Sequence, residues 1–168
     1  MSRKATNQIL QKAKQLKSDE FYTQLVDIEN ELQYYKQHFK NKVVFCNCDD
    51  ARVSNFFKYF FVHFQELGLK KLISACYVES KIFSGSNQNS KGFYCKYEGK
   101  KDWQTTINEL NFFKGDGDFR SKESIQLLKE VDIVVTNPPF SLFREFVAQL
   151  IEHNKKFLII GNINAITS

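Results

Sequence analysis

The chain has 168 residues, 42% of them hydrophobic and 26% charged, which fits one globular domain with a real core and excludes a disordered or fibrous chain. A net charge of +5 permits a polyanionic partner without demanding one. No apolar run reaches membrane-spanning length and no secretory signal is evident, so a cytoplasmic protein without membrane association is expected.

The basic excess gathers early: Arg3, Lys4, Lys12, Lys14 and Lys17 all precede the first acid, Asp19. Ile9, Leu10, Ala13 and Leu16 form one apolar stripe, which predicts a helix over residues 5–17. Two readings stand for its cations. They form the solvated face of a packed helix, or Lys4, Lys12 and Lys14 contact phosphates, a sequence-independent and salt-sensitive interaction. Polar residues then surround the adjacent aromatics Phe21 and Tyr22 before a second helix predicted over residues 25–39, with Leu25, Ile28, Leu32, Tyr35 and Phe39 on one side. Such aromatics serve as core anchors, or lie against a cation at about 0.5–2 kcal/mol.

Val43–Cys46 reads as the first strand, followed by the polar loop Asn47-Cys48-Asp49-Asp50 and a helix over residues 52–67 with phenylalanines at i, i+4 spacing. Gly68 is its expected stop. A second strand follows over residues 71–78, completing a right-handed βαβ unit. The loop after the first strand is where doubly wound folds hold a nucleotide. It contains no glycine, so by itself it is weak evidence for a ligand. Glu79 follows the second strand, where an acid can bind both hydroxyls of a ribose; a solvated surface carboxylate is the alternative. Residues 84–92 have loop composition. Phe93, Cys95 and Tyr97, then Trp103, Thr105 and Ile107, alternate with polar residues across a Glu98-Gly99-Lys100-Lys101 turn. That pattern predicts a hairpin inserted over residues 92–108. The four cysteines lack zinc-site spacing, and three lie in or beside expected core strands, so free thiols and no metal are expected.

Gly115-Asp116-Gly117-Asp118-Phe119 precedes a helix predicted over residues 121–130. Two glycines and two acids there make a ligand-accessible turn. Asp118 can accept an adenine amine and Phe119 can pack on the ring; a plain Gly-Asp turn is the alternative. Ile133-Val134-Val135 is a β-branched run, the mark of a strand buried on both faces. Pro138 cannot join a sheet ladder, so the strand stops at Asn137. A helix capped by Ser141 is expected through about His153, then an apolar strand over residues 157–160.

Asn137, Pro138, Pro139 and Phe140 therefore form a stiff polar tip at the C-terminal end of a strand, where α/β folds bind ligands. The Asn137 side-chain oxygen and the Pro138 carbonyl can accept both hydrogens of an aromatic amine. Phe140 can stack on the ring, worth about 1–3 kcal/mol per base. Two acceptors favour a pyramidal nitrogen and expose its lone pair, so no strong base is required. The segment resembles the Asn-Pro-Pro-aromatic motif of amino-methyltransferases that use S-adenosylmethionine.

Taken with Asp19-Glu20-Phe21-Tyr22-Thr23, Cys46-Asn47-Cys48-Asp49-Asp50 and Gly115-Asp116-Gly117-Asp118-Phe119, the chain resembles the EcoRI-type adenine-specific DNA methyltransferases over nearly its whole length. The glycine-free first loop fits that subgroup. The resemblance implies a Rossmann-like methyltransferase fold, mostly parallel with helices on both faces. It implies methyl transfer from S-adenosylmethionine to adenine N6 in duplex DNA, protecting host DNA from a partner restriction endonuclease. It assigns Phe21, Tyr22, Thr23, Asn47, Cys48, Asp49, Asp118 and Phe119 to the cofactor, and Asn137, Pro138, Pro139 and Phe140 to catalysis; Glu79 joins the cofactor set by fold position. The expected organisation is an N-terminal helical segment over residues 1–40 and a methyltransferase core over residues 41–168. Family members continue well beyond this length, and an apolar strand at 157–160 would otherwise form an exposed edge. An N-terminal fragment lacking further strands and the target-reading region, inactive alone, is therefore expected. A protein glutamine methyltransferase, usually Tyr-ended in this motif, and a non-catalytic cofactor- or DNA-binding remnant are the alternatives.

Overall fold

Two runs whose every residue is buried, Val43–Asn47 and Ile133–Thr136, form the middle of one sheet. The structure, a computed structural model, describes residues 19–47, 54–77, 91–136 and 140–159, with the backbone alone for residues 19–25 and 140. In chain order the elements are helix α1 (Asp19–Leu32), a 3-10 turn (Gln33–His38), strand β1 (Val43–Asn47), helices α2 (Asn55–Val62) and α3 (Phe64–Leu67), β2 (Lys71–Cys76), β3 (Phe93–Tyr97), α4 (Trp103–Asn108), β4 (Asn111–Phe112), α5 (Lys122–Leu128), β5 (Ile133–Thr136), a second 3-10 turn (Phe140–Leu142), α6 (Phe143–Glu152) and β6 (Lys156–Ile159).

The six strands run in the order β4-β3-β2-β1-β5-β6. β1 pairs in parallel with β2 and β5, and β5 with β6, whereas β3 is antiparallel to both β2 and β4. The fold is thus α/β with a mostly parallel sheet, consistent with a methyltransferase fold. From β1 the chain builds the sheet one way through β2 and the other way through β5. The change of direction opens a crevice at the C-terminal ends of β1 and β5, the usual ligand position in such sheets.

Period-two alternation sends side chains to opposite faces. Val44 and Cys46 of β1, Leu72 of β2 and Ile133 and Val135 of β5 join one core with Ile28 and Leu32 of α1 and the phenylalanines of α2. Val43, Phe45, Ile73, Ala75 and Val134 face a second core with Leu127 and Leu128 of α5 and Phe146 and Leu150 of α6. Helices therefore cover both faces, as a central parallel sheet requires.

Several boundaries differ from those the pattern predicts. Phe21, Tyr22 and Thr23 lie inside α1, which starts at Asp19 rather than Leu25. That helix ends at Leu32; the tighter turn that follows leaves Tyr35 41% exposed, while Phe39 is buried. The phenylalanine-rich helix starts at Asn55, with Ser54 accepting from the Phe57 N–H at 3.1 Å, and breaks at His63. Gly68 stops it in the left-handed region, φ +66°. The expected hairpin is corrected most. β3 is a sheet strand, but Trp103–Asn108 is helix α4, capped by Asp102, whose carboxylate accepts from the Thr105 N–H at 2.7 Å. Trp103 and Ile107 stand four apart and fit a helical face as well as an alternating strand; burial of Trp103 against Phe57 and Phe61 decides it. β2 ends at Cys76 and β6 begins at Lys156, where Phe157 is 38% exposed at the sheet margin.

Candidate functional site

Two glycines bring the Gly115–Phe119 loop against the end of β2. Gly117 has φ +82°, and a Cβ there would sit 2.8 Å from the Cys76 carbonyl oxygen. A Cβ on Gly92 would meet the Asp116 carbonyl oxygen at 2.3 Å. Only glycine tolerates such approach and such φ without strain. The Glu123 carboxylate accepts from the N–H groups of Lys114 and Gly115, and Asp116 accepts from the Asp118 N–H at 3.0 Å. These bonds hold the Gly115 and Asp118 N–H groups and leave Asp118, Phe119 and Arg120 at the strand ends.

There they line a cavity of about 200 Å³ with Asn47, Tyr77, Gly117 and Leu142. It suits one flat heterocycle better than a whole drug-sized ligand, for which about 300–1,000 Å³ is usual. Asn47 ends β1 and is buried. Phe119 is also buried, edge-to-face with Phe146 at 5.3 Å, so it forms a wall of the cavity anchored in the core. The Asp118 carboxylate accepts three bonds from Arg120: its backbone N–H at 2.8 Å and Nε at 3.0 Å on Oδ1, and one terminal nitrogen at 2.8 Å on Oδ2. Those side-chain bonds hold the Asp118 carboxyl below the usual carboxylate range, against an opposing effect of burial, so it is an ionised acceptor at neutral pH.

The end of β5 is fixed to the end of β1. Their ladder pairs Val44 with Ile133 and Phe45 with Val134. Further on, the fully buried Thr136 hydroxyl donates to the Asn47 carbonyl at 2.5 Å. This bond fixes the end of β5, the residue before Asn137 in the sequence, beside the cavity's Asn47. Helix α6, which follows that segment, reaches back. Gln149 Nε2 donates to the Phe119 carbonyl at 2.8 Å, and Glu145 accepts from Arg120 at 2.9 Å.

The structure thus brings together Asn47, Asp118 and Phe119 of the expected site. Phe140 opens the 3-10 turn that leads into α6, and Phe21, Tyr22 and Thr23 lie in the first turns of α1. Lys4, Lys12, Lys14, Cys48, Asp49, Glu79, Asn137, Pro138 and Pro139 lie outside the described residues. Sequence patterns missed Tyr77, Arg120 and Thr136. Tyr77 directly follows the second strand and Arg120 directly follows Phe119, so adjacency was the available signal. Thr136 reads as one more β-branched strand residue, and nothing in its pattern announces a hydroxyl bond. A larger groove of about 290 Å³ between β3 and α5 is lined in part by Tyr94, Lys96 and Glu130. Lys96 is paired with Glu130 at 2.6 Å there, and the groove lies on the side of the sheet rather than at its strand ends.

A family model described as adenine-specific methyltransferase EcoRI matches residues 9–168. The chain is 63% identical to the Type II methyltransferase M.EcoRI of Escherichia coli, over 99% of this chain and 52% of that protein. It is 45% identical to M.MgeORF184P of Mycoplasma genitalium, over 94% of this chain and 44% of the relative. It is 44% identical to M.MpnI of Mycoplasma pneumoniae, over 92% and 44% respectively; both are Type II methyltransferases. The chain therefore spans about half the length of these relatives. No solved structure matches.

Proposed function

Because the chain belongs to the EcoRI-type adenine-specific methyltransferase family, we propose that it forms the cofactor-binding and catalytic part of an enzyme that methylates adenine N6 in double-stranded DNA, with S-adenosylmethionine as donor. The observation that supports this most is one cavity, at the C-terminal ends of the central strands, that holds Asn47, Asp118 and Phe119 next to the residue preceding Asn137. An ionised Asp118 beside a buried aromatic wall fits an adenine ring carrying an amine donor.

In this reading Asp118 accepts from the cofactor's 6-amine and Phe119 bounds its ring. Glu79 binds the ribose hydroxyls, Cys48 and Asp49 line the same side, and Phe21, Tyr22 and Thr23 of α1 lie towards the sulfonium. The cofactor supplies a methyl group on a positively charged sulfur. Asn137 and Pro138 accept the two hydrogens of the target amine, Pro139 stiffens the turn, and Phe140 stacks on the base. Their work is positioning: the nitrogen lone pair is turned out of conjugation and held in line with the incoming carbon. The target base is taken out of the duplex, at a cost of a few kcal/mol. Lys4, Lys12 and Lys14 bind phosphates. Residues 1–40 form a helical segment and 41–168 the core. The protein works in the cytoplasm beside a cognate restriction endonuclease.

Calorimetric titration with S-adenosylmethionine, paired with labelled-methyl transfer to plasmid DNA, tests this. For this chain, cofactor binding that survives Asn137→Ala is the expected pattern; labelling that Asn137→Ala abolishes is expected once the chain is extended to the length of its relatives. Absence of cofactor binding at about millimolar concentration overturns the proposal. Binding without transfer in the extended protein favours the non-catalytic alternative.

A further inference from the structure

An ionised carboxylate offers about four acceptor positions, two on each oxygen. Arg120 fills both on Asp118 Oδ1, with its backbone N–H at 2.8 Å and Nε at 3.0 Å, and one on Oδ2, with a terminal nitrogen at 2.8 Å. Among the described residues, one acceptor position remains, on Oδ2. Arg120 is itself held at two further points. Its other terminal nitrogen donates to Glu145 of α6 at 2.9 Å, and its guanidinium lies over the Phe119 ring, 5.4 Å from the centroid. A planar fork fixed at both ends cannot rotate without breaking several bonds together, which a lysine ammonium in its place would not enforce.

We propose that Arg120 is a positioning residue that sets the specificity of the cavity: by filling three of the four acceptor positions of Asp118, it leaves one, aimed to take a single N–H from the 6-amino group of a bound purine. The inference rests on the proposed cofactor role of Asp118. It adds that selection of a 6-amino over a 6-oxo purine is made by the Asp118–Arg120–Glu145 chain rather than by Asp118 alone. It also adds that the helix following Asn137–Phe140 anchors this selection. A 6-oxo group in the same place presents an oxygen to the carboxylate and has no donor to offer, so it is rejected. With Arg120 removed, the carboxylate is free to turn away or to bind water, and the penalty on the oxo group falls with it.

The test is calorimetric titration of the whole chain with S-adenosylhomocysteine and with S-inosylhomocysteine, the latter carrying oxygen in place of the amine. The wild-type chain, Arg120→Ala, Arg120→Lys and Glu145→Gln are compared, with thermal melts confirming that each folds. The expected result is a wild-type preference for the adenosyl form of at least about tenfold, compressed to about threefold or less in Arg120→Ala and Arg120→Lys. Glu145→Gln should give an intermediate ratio. Equal weakening of both ligands with the ratio preserved is what a merely structural arginine would give, and it overturns the inference while leaving the cofactor role intact. A wild-type chain that binds neither ligand, or both equally, overturns that role and the inference together.

Discussion

Thr136→Val removes the hydroxyl that ties the end of β5 to the Asn47 carbonyl and keeps the side-chain volume, so no cavity opens. The bond is 2.5 Å long and the residue is fully buried. A buried hydrogen bond contributes about 0.5–1.5 kcal/mol net, and a carbonyl losing its partner adds part of a desolvation penalty of about 1–3 kcal/mol. A carbonyl can accept twice, so the expected loss lies towards the lower end, about 1–2 kcal/mol. In a chain of this size that lowers the melting temperature by about 3–7 °C. Thr136→Ser keeps the hydroxyl and sheds one methyl, costing about 1 kcal/mol through lost burial alone. Stability by itself separates the two variants poorly; ligand affinity separates them well. Thr136 does not line the cavity, yet it fixes β5 against Asn47, which does. Thr136→Val should therefore weaken S-adenosylmethionine about threefold or more by calorimetry, with Thr136→Ser close to wild type. A Thr136→Val protein that melts no lower than wild type and binds the cofactor equally well, while Thr136→Ser is impaired, would refute the assignment of the hydroxyl as the tie.

Gly117→Ala places a Cβ 2.8 Å from the Cys76 carbonyl oxygen at φ +82°; strain of about 1–3 kcal/mol should appear in urea denaturation, with weaker cofactor binding as the loop is displaced. Among the described residues, the Tyr59 hydroxyl is the buried side-chain polar atom without a hydrogen-bond partner, and burial, then Glu29 and Glu66, push its pKa well up. Tyr59→Phe should therefore hold or raise stability by about 1 kcal/mol, and a lower melting temperature would show that the hydroxyl is in use. His63→Ala removes the ring whose nitrogens meet Glu66 at 2.7 Å and Glu29 of α1 at 3.0 Å, and should cost about 2 kcal/mol in urea denaturation. For Asp118 the folded pKa lies below its ordinary value of 3.8. The Asp118–Arg120 contribution to stability is therefore fully present above that value and lost as pH falls through the folded one. The stability gap between wild type and Asp118→Asn should stay constant from neutral pH to about 5 and close only below 3.8; a gap closing near neutrality would contradict the pairing.

How much was legible in advance depended on whether one period or two fitted a segment. β1 and β5 were plain, because Val43-Val44-Phe45 and Ile133-Val134-Val135 admit only a buried strand between polar ends. The Gly68 stop was plain because a left-handed residue favours glycine. Trp103–Asn108 was not, since six residues are too few for periodicity to separate helix from strand, and the deciding contact comes from Phe57 and Phe61, more than forty residues away. The break at His63 was hidden for a similar reason. The ring of His63 meets Glu66 and also Glu29, the latter thirty-four residues distant, and no local propensity carries that second contact. Within the site, Asp118 and Phe119 were visible as chemistry, but Arg120 beside them looked like an ordinary surface cation.

The first loop lacks glycine, and the two close-packed glycines lie elsewhere. A glycine-rich turn after the first strand lets backbone amides approach a pyrophosphate. That feature is absent from the first loop here. Under the proposed function, the donor's adenine would meet a carboxylate brought down onto the sheet end beside an aromatic wall. Here the close approach occurs where Gly117 meets the Cys76 carbonyl and Gly92 meets Asp116, which seats Asp118 and Phe119. The glycines thus mark the contact between loop and sheet rather than between loop and ligand. A chain read only for a glycine-rich first loop would be passed over, although its backbone makes the required approach about seventy residues later.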